Sequence, residues 1–134
     1  EEDPDSLREQ VARWIQLRSA RRQTLSPEMI GYERQREWLE GLAKYAELSI
    51  WKLAGESADY SPSEAVQGVA DFHSYDNARK RWDQEVQQLA RDLQFDDTQF
   101  YYTGWAQAVL LDRLNISWKE KAMQAEVYLD QLFR

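Results

Sequence analysis

The chain has 134 residues and a net charge of −7 from 24 acidic and 17 basic side chains, which fits one ordinary domain and lacks the bulk positive field of a nucleic-acid binder. Six Trp and seven Tyr argue against intrinsic disorder, and the absence of cysteine removes disulfides, thiolate metal sites and thiol nucleophiles while leaving the compartment open. No run approaches the 18–20 apolar residues of a membrane span.

Asp5 or Ser6 can cap a first helix running to about Gln23, with Leu7, Val11, Trp14 and Ile15 at helix spacing. Near its end lie Arg18, Arg21 and Arg22, the one basic cluster. They read as a complement to the negative end of the helix dipole rather than as a phosphate site. Ser26-Pro27-Glu28 is a start signal of N-cap, N1 proline and first-turn acid. The helix after it is expected to run to Gly55 or Ala58. Met29, Tyr32, Leu39, Leu42, Ala43, Ala46, Ile50, Leu53 and Ala54 would form its inner face, and Glu33, Glu37, Glu40 and Glu47 a solvated one. Gly31 and Gly41 each permit either close packing or a bend.

Ser61-Pro62-Ser63-Glu64 reads as a capping box opening a short third helix that breaks near His73-Ser74. Tyr75, Ala78, Trp82, Val86, Leu89 and Leu93 predict a fourth helix. Asp97 or Thr98 can cap a fifth, through about Leu114, whose apolar content marks it as the buried core helix. Ser117-Trp118-Lys119-Glu120 is a second capping box for a sixth helix reaching Phe133. No segment alternates at period two for long. The expected fold is therefore all-α, an irregular bundle or array of about six helices in a single domain over 1–134. The start at Glu1-Glu2-Asp3-Pro4 without Met is compatible with the C-terminal part of a larger protein.

Three residues stand out as candidates for chemistry. His73, the only histidine, is flanked by Asp71 and Asp76, a pattern that can serve acid/base work but that a helix boundary also produces. Asp112 interrupts an apolar helix and is either a paired buried charge or the wet edge of that helix. Glu40 lies in Glu40-Gly41-Leu42-Ala43-Lys44-Tyr45-Ala46-Glu47, which resembles the E-G-L-A-x-Y segment of gluzincin-type zinc peptidase domains. Tyr101-Tyr102-Thr103-Gly104-Trp105-Ala106, Val109 to Leu114 and Trp118-Lys119 resemble later helices of such domains.

The resemblance implies that residues from about 30 to 134 are the helical C-terminal half of a peptidase-like fold, with Glu40 at the third zinc-ligand position. The chain departs from the pattern in having no H-E-x-x-H, and one histidine cannot supply two. The expectation is a non-catalytic helical domain with a structural or protein-contact role, joined to a protein partner or an upstream domain. It takes no cofactor in the isolated chain. The alternative is part of a zinc-dependent hydrolase whose zinc needs a longer parent.

Overall fold

The computed structural model describes residues 3–91 and 97–133, apart from the side chain of Asp76. The described residues form six α-helices and two 3-10 turns, with no strand among them. No helix among them is long and apolar enough to cross a membrane.

Helix α1 spans Pro4–Arg22 and starts earlier than expected. Asp3 is the N-cap, its carboxylate accepting from the Asp5 N–H at 3.2 Å, with Pro4 at N1. Helix α2, Pro27–Glu56, begins where its signal placed it, the Ser26 hydroxyl accepting from the Met29 N–H at 3.3 Å. Thirty residues make it about 45 Å long. Arg18 meets Glu37 and Arg21 meets Glu33, so α1 and α2 run antiparallel.

The third helix shrinks to one turn, α3, Glu64–Gln67, capped by Ser63 rather than Ser61. None of its residues is buried, and one turn without tertiary support does not propagate. A 3-10 turn at Tyr75–Asn77 leads into α4, Ala78–Leu89; the expected end at Leu93 lies outside the described residues. Helix α5, Thr98–Arg113, is the core helix predicted, burying Phe100, Gly104, Trp105, Ala108 and Leu111. Asn115 ends it at φ 57°, with N–H bonds from Asn115 to the Asp112 carbonyl and from Ile116 to the Leu111 carbonyl. That pair of bonds is the Schellman closure, with asparagine in the left-handed position glycine usually takes.

The sixth helix differs most from expectation. Only Lys119–Ala122 is helical (α6), Ser117 is not its cap, Glu126 turns left-handed at φ 61°, and Leu129–Phe133 forms a 3-10 turn. The break lets Trp118, Ala122 and Leu129 reach one core with Ala108 and Leu111. Trp38 of α2 supplies the missing partner at the end of α6, its indole N–H donating to the Ala122 carbonyl at 2.7 Å.

The spine is the contact of α2 with α5, the most extensive in the fold. It centres on Gly41 and Gly104, where the helices meet backbone to backbone. On α2 the expected faces are exchanged over much of the helix. Glu33 and Glu37 are buried, whereas Met29, Tyr32, Leu39, Ile50 and Leu53 are exposed. The carboxylates go inside because α1 brings Arg21 and Arg18 against them, each guanidinium making two bonds to one carboxylate. The basic cluster at the end of α1 is thus an ion-pair clasp. Arg22 completes it by pairing with Asp130, which Arg34 also holds.

Burial would raise the Asp130 carboxyl, but its bonds to Arg34 and Arg22 outweigh that and hold it below the ordinary value of 3.8. A depressed folded pKa contributes stability that is present above the unfolded value and is lost as pH falls through the folded one. Unfolding by urea at a series of acidic pH values should therefore show stability dropping below about pH 4. Asp130→Asn should remove part of that dependence; a variant profile parallel to the parent's would take Asp130 out of the acid transition.

Candidate functional site

The three residues singled out from sequence are not brought into one site. Glu40, on α2, is partly buried and accepts from Arg36 Nη1 at 3.1 Å. Its hydrogen bond with the Tyr101 hydroxyl, together with burial, raises the Tyr101 pKa above 10.0. Arg36 also donates to Asp97 at 2.9 Å, and Tyr32 donates to Asp97 at 2.8 Å. Glu40 thus belongs to a clamp joining α2 to the start of α5. Among the described residues no three His, Cys, Asp or Glu side chains are grouped to hold a metal ion. These donors do not fit zinc: a carboxylate already facing a guanidinium lacks the companion ligands a zinc site needs.

His73 is exposed in the loop between α3 and the 3-10 turn at Tyr75–Asn77. Asp112 lies on the wet edge of α5, accepting from the Tyr45 hydroxyl at 2.5 Å and the Trp118 indole at 2.9 Å, with Lys119 Nζ at 3.6 Å. Its partial burial works to raise its pKa, yet these three donors bring it below 3.8. Asp112 thereby ties the ends of α5 and α6 to α2.

Two surface features extend beyond those three residues. The first is an open groove of about 850 Å³ between α2, α4 and α5, walled by Val86, Leu89, Val109 and Leu110 with Trp105 among its lining residues. Trp82 and Trp105 meet edge to face there at 5.1 Å. Leu110, on the helix read from sequence as the buried core, lies at this groove; Leu111 is fully buried.

The second is the outward side of α2. Leu39, Ala43, Ala46, Ile50 and Leu53 are all exposed, Leu53 to 69%. Their spacing is four, three, four, three, the spacing of a coiled-coil seam. Leu53 also lines the groove, so stripe and groove adjoin. The pattern itself was legible; that none of the described residues covers it was not.

Beneath α2 the ion pairs continue. Lys44 meets Glu85 at 3.0 Å, both nearly buried, and Arg81 reaches Glu85 and Glu47. Sequence reasoning missed the Lys44–Glu85 and Arg81–Glu47 pairs because each joins α2 to α4, whereas Arg81 and Glu85 are one turn apart on α4. Comparison with known proteins found no matching family model, no matching curated protein and no matching solved structure.

Proposed function

We propose that the chain is a non-catalytic helical module that works by contact with another protein, through the outward face of α2. The observation that carries this reading is the exposed seam Leu39, Ala43, Ala46, Ile50 and Leu53. Apolar side chains at alternating three- and four-residue steps fit a second helix crossing at about 20°. Ala43 and Ala46 at the middle allow the two backbones to approach closely. A continuous exposed stripe of this kind marks an interaction surface more than scattered single residues do.

The occupant is a helix of a partner polypeptide that carries its own apolar seam. Glu40 and Glu47 beside the seam are already paired with Arg36 and Arg81, and what remains is the chain's net charge of −7. That electrostatic setting favours a partner with Lys or Arg beside its seam.

Two synthetic heptad-repeat helices with leucine seams, one flanked by Lys and one by Glu, test the reading. The Lys-flanked helix is expected to bind saturably and the Glu-flanked one more weakly. Leu39→Lys with Ile50→Lys should leave stability within about 0.5 kcal/mol per site, because both positions are exposed, while weakening binding at least about tenfold. Sedimentation of the chain alone covers the other occupant: a dimer abolished by the same variant assigns the face to a second copy. A monomer that binds neither helix sinks the interaction reading.

A further inference from the structure

The ion-pair clasp encloses a second, smaller space. A cavity of about 180 Å³ lies between α1, α2 and the 3-10 turn at Leu129–Phe133, lined by Trp14, Arg18, Arg22, Arg34, Asp130 and Phe133 among others. We propose that this cavity is a binding site for a small oxyanion, a phosphate or a carboxylate, held by Arg22 and Arg18.

Charge is the first ground. Three guanidiniums line the cavity, and among the described residues the carboxylates that pair with them are two: Glu37 takes Arg18, and Asp130 is shared between Arg22 and Arg34. One positive charge is left over in a place where solvent reaches little of it, since the Arg18 and Arg22 side chains are each only 12% exposed. A buried surplus charge is costly unless an opposite charge joins it.

Hydrogen bonding is the second ground, independent of the first. Among the described residues Arg22 donates to Asp130 through Nη1 alone, and its Nε and Nη2 are buried with no hydrogen-bond partner. Nε–H and Nη2–H lie on one edge of the guanidinium, the fork that takes two oxygens of a carboxylate or phosphate together. Arg34 applies the same edge to Asp130, through Nε at 3.2 Å and Nη2 at 3.1 Å. Arg18 Nε is likewise buried without a partner, its guanidinium lying over the Trp14 ring at 5.5 Å. Buried donors are rarely left unmet in folded proteins, so three on two residues that line one cavity point to a missing acceptor.

Size and walls define the ligand. The volume is several times the ~30 Å³ share of one water, enough for a single oxyanion group with a short substituent. Trp14 and Phe133, edge to face at 5.2 Å, form an apolar side against which such a substituent would rest. Occupancy would tie α1 to the C-terminal turn, because Arg22 and Asp130 come from those two elements.

The test uses the whole chain labelled with ¹⁵N, following the arginine Nε–H resonances while sodium phosphate, acetate or benzoate is added at constant ionic strength against sodium chloride. Arg22 and Arg18 signals are expected to move saturably with at least one oxyanion and not with chloride. Phosphate stronger than benzoate assigns a phosphoryl group, and the reverse assigns a carboxylate beside an apolar substituent. Arg22→Lys keeps the charge facing Asp130 but has no fork, and should weaken binding at least about tenfold with the circular dichroism spectrum unchanged. Arg22→Gln should act in the same direction. Movement that is linear, equal for chloride, or unaltered in Arg22→Lys overturns the proposal, and that result leaves the α2 contact face untouched.

Discussion

Gly104→Ala is expected to destabilise the fold by about 2–4 kcal/mol, while Gly31→Ala in the neighbouring helix stabilises it by about 0.5–1 kcal/mol. Helix propensity alone favours alanine by about 1 kcal/mol at both positions, so it cannot produce opposite signs. The surroundings can. A Cβ on Gly104 would stand 2.2 Å from the Glu37 carbonyl oxygen and 2.7 Å from Gly41 Cα. Those atoms are backbone, so no rotamer change relieves the clash and the helices themselves must separate. They would do so at the most extensive contact in the fold. A Cβ on Gly31 meets nothing within 4 Å, and only the gain from a less floppy unfolded chain remains. Urea unfolding of both variants measures the contrast. A neutral or stabilising Gly104→Ala would mean that α2 and α5 are farther apart than described.

Glu37→Ala should cost about 3–5 kcal/mol, the larger effect, by stranding the Arg18 guanidinium. Glu37 is 4% exposed, and Arg18 reaches it with two bonds while stacking over Trp14. Removing the carboxylate leaves a buried charge without its acceptor. Removing both charges is a different matter: Arg18→Met with Glu37→Leu should recover most of the loss, because hydrophobic replacement of a buried pair is often neutral or better. With Arg18→Met and Glu37→Leu also made singly, the double-mutant cycle, read by equilibrium unfolding, separates the pair from the burial of its stems. If the single variant lost less than about 1 kcal/mol, water would be reaching Arg18 and the clasp would not be a buried element.

Local chemistry was enough to show that the chain is helical and where α2 and α5 begin. Ser26 and Pro27 act within a turn of the residues they cap, so no tertiary information is needed to read them. The apolar run of α5 likewise announces its own burial. The clasp could not be read this way. Whether Glu37 faces water or the interior depends on Arg18 arriving from another helix, and Asp130 is held by Arg22 from 108 residues away. Apolarity read along α2 put the Leu39–Leu53 seam inside. The fold puts it outside because the Gly41–Gly104 crossing turns the opposite side of α2 toward α5. The last helix failed for a related reason: Ser117 does not cap it, and one left-handed residue, Glu126, lets Leu129 reach the core beside Trp118 and Ala122. Caps and composition are properties of neighbours in sequence, and these determined the helices. Which face is buried, which glycine is a crossing and which arginines share a cavity are properties of neighbours in space, and only the packed chain decides them.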